Sequence, residues 1–379
     1  MESIKTVGFP RMHKGDSEKR DFLPKLMKDL KPFENVSLIL EDGYGDGMGL
    51  TQEDYLKLNP NIKFAGHDEV YNSDMIVVLR APEDDEIKLM KHGAILFSML
   101  HYETRETRNE LLKEQELVCF SMDSLVDGDG MRMLVNYRGT SRSAVRVGFN
   151  ELKKRMPDFY SEDRRPLNAT IIGLGSVAQF AARALEEFSD EEFLIRNSSV
   201  SGIIIRMIPR TITKDLSLLE PIMRETDILI DASRRLDPTQ IIIPNYLIGL
   251  LPKHAIIIDI TADPYNEKIN PIQVKGIEGI PTGTLEKYVI EIDDEIYKTI
   301  PKEINSSNRR VVVSCNAWPG VDPEDCMRIY GIQILPFLKV LLSKGTEHLY
   351  VESEELYESS LVKASLDYYL EKRISHSKA

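Results

Sequence analysis

Cysteine is scarce: Cys119, Cys315 and Cys326 are the only three in 379 residues. They are too few and too scattered for a disulfide framework or a zinc site, and a reduced, cytoplasmic setting is expected. No apolar run approaches the ~20 residues of a membrane span, and the first ten residues lack the apolar stretch of a signal peptide. Positive charge is short too. Lys and Arg number 48 against 61 Asp and Glu, for a net charge of -13. Nucleic-acid binders need a basic face, so neither a nucleic acid nor an anionic membrane surface is expected as a partner. A P-loop, a Ser-His-Asp arrangement and a metal-ligand cluster are all missing from the sequence.

What is present is a globular composition, 42% hydrophobic and 29% charged. The length exceeds one ordinary core, so two domains of roughly 150–200 residues are expected. Strands are predicted over residues 3–9, 36–41, 74–80 and 94–99, with a helix over 21–30 where Phe22, Leu23, Leu26, Met27 and Leu30 recur at helical spacing. Gly43, Gly45, Gly47 and Gly49 form a turn after the second strand. A second alternation begins near residue 168, with strands over 169–172, 202–208, 227–232, 255–260 and 310–315 and a helix over 177–188. Residues 140–156 read as a helix, 157–166 as a polar connection, 322–344 as an amphipathic helix and 352–374 as a final helix. Strands that alternate with helices and are apolar throughout imply α/β architecture with parallel sheets buried on both faces.

The sharpest motif is Gly173-Leu174-Gly175-Ser176-Val177-Ala178, set between a strand and a helix. A dinucleotide-binding turn needs one glycine for the bend and one for the approach of a diphosphate. It also needs a small third residue so that the helix packs on the strand. Ala232 and Ser233, closing the strand over 227–232, are placed on the same cofactor. The acidic residue expected at the end of the next strand is missing, and that strand carries Arg206 and, just beyond, Arg210. Arginine there suits a 2′-phosphate, or these are solvent-facing arginines on a strand end, and NAD versus NADP stays open. His101 closes the run over 94–101, where an imidazole would face the ligand crevice of an open sheet; a structural histidine is the alternative. Arg80 ends its own strand and is read as a carboxylate clamp or as a surface ion pair. Asp259 and Asp263 flank a strand end, within reach of a substrate amine or a ribose, or Asp263 serves the turn before Pro264. Trp318, the only tryptophan, is read as filling an inter-domain seam or packing on the cofactor.

Taken together, these segments resemble the family of alanine dehydrogenase, the transhydrogenase alpha subunit and lysine-forming saccharopine dehydrogenase, nearly end to end. The resemblance is carried by residues 8–10, 19–24, 41–47, 74–82, 93–101 and 259–263, and by Trp318-Pro319-Gly320. It implies two Rossmann-like parallel-sheet domains. The dinucleotide domain, 138–316, would be inserted into a discontinuous substrate domain, 1–137 and 317–379. It implies NAD or NADP as cofactor and an amino-acid or keto-acid substrate, and it leaves homo-oligomerisation open. By the same resemblance Arg20 would grip the substrate carboxylate, His101 would be the catalytic histidine and Asp263 would lie beside the nicotinamide. The lysine expected after the third strand is replaced by Arg80, with Arg105 a further candidate clamp. A guanidinium stays charged where a lysine can lose its proton, so the change points to an altered substrate or to reduced activity. The reaction class implied is hydride transfer at the CH–NH of an amino acid or an opine-type secondary amine. A nucleotide-binding regulatory relative without catalysis is the alternative.

Overall fold

Runs of Ile, Val and Leu too short for helices build two sheets. The computed structural model describes residues 4–12, 15, 17–235 and 237–377; Ser3, at the start of the expected first strand, lies outside them. The chain divides into two compact units, Met1–Asn136 with Pro323–Ala379, and Tyr137–Asp322. The second unit is therefore an insertion in the first, and each is Rossmann-like.

In the first unit β1 (Thr6–Phe9), β2 (Ser37–Glu41), β3 (Lys63–Ala65), β4 (Met75–Arg80), β5 (Ile95–Met99) and β6 (Val118–Ser121) lie in the order β3-β2-β1-β4-β5-β6. Every pairing is parallel. The chain winds outward from β1 to β3 and then crosses to β4, which creates a topological switch point beside β1. Ligands of open α/β sheets bind there, outside the carboxyl ends of the strands. Helix Pro24–Leu30 starts on a proline whose missing N–H costs nothing at the first turn. Helix Pro323–Lys344 is long and apolar enough to cross a membrane by length and composition. Here it buries Ile334, Phe337, Leu338 and Leu341 in the unit's core, with Phe337 edge-on to Phe97.

The second unit holds β7 (Leu167–Ile172), β8 (Ile203–Ile208), β9 (Ile228–Asp231), β10 (Ile256–Asp259), β11 (Val289–Ile290) and β12 (Val311–Ser314), in the order β11-β12-β10-β9-β7-β8. All are parallel except β11, which runs antiparallel to β12. Helix Tyr137–Arg155 packs so closely on β10 that a Cβ at Gly148 would lie 2.3 Å from Ile258 Cδ1.

Three expectations are corrected. The final helix is two, Leu356–Lys363 and Leu366–Ser377. Between them the backbone leaves the helix to pair with the sheet: Ser121 N donates to Ala364 O at 2.8 Å and Phe120 bridges Ser365. Trp318 is not open to a cofactor. It is buried inside the second unit, beside Tyr288, with Nε1 donating to Asp259 O at 2.9 Å. Residues 317–322, read as the start of the return to the first domain, accordingly fall in the second unit. The short strands β3, β6 and β11 escaped notice.

Candidate active site

The first unit's site begins with residues 18–22, which the glycine turn after β2 holds in place. Gly45 N donates to Asp21 Oδ2 at 2.8 Å, Tyr44 Oη accepts from Phe22 N, and Tyr55 Oη donates to Phe22 O. Burial pushes the Asp21 carboxyl up to about 6, against the Gly45 hydrogen bond. Arg20 is thereby fixed with its side chain only 6% exposed. Its partner is internal: Glu18 accepts from Arg20 Nε at 2.8 Å and from a terminal nitrogen at 2.6 Å. Arg80, at the end of β4, reaches the same carboxylate at 3.3 Å. Burial alone would raise the Glu18 carboxyl, but the two guanidiniums hold it below its ordinary value. The two arginines predicted as carboxylate clamps thus converge, as a clamp would, on a carboxylate of the protein itself. Glu18 also lines a cavity of about 460 Å³ together with Arg11, Lys19, Asp21 and Gly47.

His101 lies one strand over, two residues past Met99, the register partner of Arg80. It adopts left-handed backbone, φ 51°, costly for a residue with a Cβ. Asp123, just beyond β6, holds it there by accepting from His101 N at 3.2 Å and meeting Nδ1 at 3.2 Å. Ser121 Oγ donates to the same carboxylate at 2.6 Å. Burial opposes charge on Asp123, yet hydrogen bonds from His101 and Ser121 bring its carboxyl down to about 2. The imidazole is half exposed while its carboxylate is buried. This is the geometry of an oriented acid–base histidine. Arg105 is exposed at the start of helix Glu106–Glu114.

In the second unit the glycine turn behaves as its sequence requires. Gly173 has φ 119°, and a Cβ there would lie 2.6 Å from Ala232 O. A Cβ on Gly175 would meet nothing within 4 Å, so the space before helix Ser176–Ser189 is open where a diphosphate would sit. Ser176 and Val177 open that helix, and Ala178, fully buried, lets it close on β7. A cavity of about 470 Å³ runs from Gly173 and Gly175 past Ala232 and Ser233 to Arg210, Thr213 and Lys214. These residues fit a dinucleotide. Arg206 is outside this lining and pairs with Glu225 at 3.0 Å, so its placement on the cofactor is corrected. Asp263 bonds the buried Arg235 at 2.7 Å and stands at the end of a turn in which Ala262 has φ 50°. Asp259 is engaged internally. Its buried carboxylate takes Lys275 at 2.7 Å, Ser314 Oγ at 2.9 Å, Thr261 Oγ1 and Ala262 N, and so builds that turn. Asp231, fully buried near Asp259, is raised to about 6 by burial and then by that charge.

Sequence reasoning missed Glu18, Asp123, Lys275 and Lys214. Asp123 had a signal available, since a carboxylate two residues past a strand lies at the same sheet edge as His101, but β6 itself was not recognised.

Two Rossmann-like units, one with an oriented histidine and converging arginines, the other with a glycine-turn cavity, define a dehydrogenase-type architecture. Residues 18–138 match the family described as alanine dehydrogenase/PNT, N-terminal domain. N(5)-(carboxyethyl)ornithine synthase of Clostridium botulinum is 22% identical over 297 residues, covering 75% of this chain and 83% of that protein. Alanine dehydrogenase of Halomonas elongata is 23% identical over 208 residues, 52% of this chain and 56% of the relative. Among solved structures, an L-alanine dehydrogenase aligns with TM-score 0.71 and 18% identity over 95% of this chain and 94% of that one. A transhydrogenase from Sinorhizobium meliloti aligns with TM-score 0.62 and 15% identity over 90% and 96%. The fold is alanine dehydrogenase-like throughout, and the family match covers residues 18–138.

Proposed function

We propose that this protein is a nicotinamide-dependent oxidoreductase acting on the CH–NH bond of an amino acid or of a secondary amine joining an amino acid to a keto acid. The observation that carries the reading is the His101–Asp123 pair at the end of β5, one strand from Arg80. A bound nicotinamide would supply or take the hydride, which no side chain can do. The chain's own residues manage charge and protons. With Asp123 engaging Nδ1, His101 exchanges a proton through Nε2 at the substrate's carbonyl oxygen or amine nitrogen. Arg80, and Arg20 behind Glu18, hold carboxylates. The turn ending at Asp263 positions that carboxylate for an amine or a ribose hydroxyl. One relative's name describes an ornithine carrying a carboxyethyl group on nitrogen, which is a secondary amine and supports the wider substrate class.

One observation favours a second reading, a nucleotide-binding relative without turnover: Glu18 already pairs with both arginines. The experiment is absorbance of the reduced nicotinamide, with NAD and NADP in parallel, against alanine, saccharopine, and lysine or ornithine with keto acids. Turnover with one set names the substrate class. Dinucleotide binding with no turnover of any set would replace the first reading by the second.

A further inference from the structure

We infer that the second unit's cavity is built to read a 2′-phosphate, with Arg210 and Lys214 as the readers, so that the chain takes a phosphorylated dinucleotide in preference to the unphosphorylated one. The inference rests on the dinucleotide reading above and adds the identity of the 2′ group.

β8 lies parallel to β7 with Ile172 opposite Ile208, and Gly173 N donates to Ile208 O at 3.0 Å. The residues that follow Ile208 are therefore level with the glycine turn and form one wall of its cavity. In this class of fold the adenine ribose sits at that strand end. An unphosphorylated ribose offers two hydroxyl donors there and is met by a carboxylate; a 2′-phosphate is met by cations.

Here the wall is cationic. Residues 202–214 contain no Asp or Glu, and Pro209 contributes no donor. Arg210 and Lys214, four residues apart across the short helix Arg210–Thr213, both line the cavity and are exposed to it. One Arg210 nitrogen donates to Arg234 O at 2.8 Å, which anchors the guanidinium to the opposite wall. The next acid along the chain, Asp215, is committed as the cap of helix Leu216–Glu225, accepting from Ser217 N at 3.0 Å and Ser217 Oγ at 2.6 Å. Asp237 lines the cavity but is tied into its own turn by Thr239 N at 2.8 Å and Thr239 Oγ1 at 2.6 Å. A guanidinium fork and a point ammonium together match a phosphate dianion and offer nothing to a ribose hydroxyl pair that a carboxylate would not serve better.

The test is calorimetric titration of the full chain with NADPH and with NADH, repeated on the Arg210→Ala/Lys214→Ala double variant. Both side chains are exposed, so the variant's fold is checked simply by its melting curve. NADPH is expected to bind about tenfold or more tighter than NADH, and the double variant to lose that preference through weaker NADPH binding. Equal or tighter NADH binding by the unmodified chain would overturn the inference and leave the dinucleotide reading standing. So would a double variant that keeps its preference. Binding of neither dinucleotide would overturn both.

Discussion

Replacing Glu18 by glutamine probes the most unusual feature of the site, a carboxylate of the protein held between the two arginines proposed for the substrate. Glutamine keeps the shape and one acceptor oxygen but removes the charge and points amide donors at guanidinium donors. Arg20 is only 6% exposed and its partner 1% exposed. Removing one member of a buried pair leaves the other charge without compensation, typically at about 3–5 kcal/mol. Arg80, about one-third exposed, recovers water and contributes little to that figure. About 3 kcal/mol corresponds to a fall of roughly 6–12 °C in melting temperature for a unit near 200 residues. A small carboxylate should then rescue the variant by restoring the missing charge. At a hundredfold excess over its Kd, pyruvate or alanine would return about 2.7 kcal/mol. Scanning calorimetry with and without ligand measures both effects. A melting temperature unchanged in Glu18→Gln would refute the reasoning, as would equal stabilisation of both proteins by the carboxylate.

Other perturbations follow from the same physical picture. Asp123 ionises at about 2 in the fold, below its ordinary 3.8, so its contribution is present above about pH 4 and is lost as pH falls through about 2. Asp123→Asn should cost about 2 kcal/mol near pH 7 and much less at pH 2, by urea unfolding. It should also lower kcat at least about tenfold by releasing the His101 ring from its tautomer, with KM little changed. Asp231 is the opposite case: its carboxyl is raised to about 6, so the fold loses stability as pH climbs from about 4 through 6. Asp231→Asn should therefore melt higher than the unmodified chain at pH 8 and alike at pH 4; a lower melting point at pH 8 would contradict this. Lys275→Met strands the buried Asp259 carboxylate and should destabilise the second unit by about 3–5 kcal/mol in denaturant titration.

Much of this was legible in the chain. Strands β4, β5, β9 and β10 are apolar runs buried on both faces, so composition alone marks them. The Gly173 turn announces itself because only glycine tolerates both its φ and its approach to Ala232. The fold class and the place of His101 at a strand end followed from these. What escaped was decided by contacts distant in sequence. The break near Ala364 exists because β6 captures its carbonyl, and no local signal at 364 reports that. Asp123 finds His101 across two strand ends. Arg206 and Arg210 are both basic, and only the point where β8 stops separates the one facing Glu225 from the one facing the cavity. Glu18 sits two residues from Arg20, yet nothing in the sequence says that it turns inward.

The central claim is hydride transfer to a carbon bearing nitrogen. It is tested most directly by supplying reduced nicotinamide deuterated at its transferable position, with an amine and a keto acid, and reading the product by mass spectrometry. One deuterium is expected on the carbon attached to the new C–N bond, with loss of labelled product in His101→Ala while dinucleotide binding is retained. Unlabelled product, or labelling that persists unchanged in His101→Ala, would contradict it.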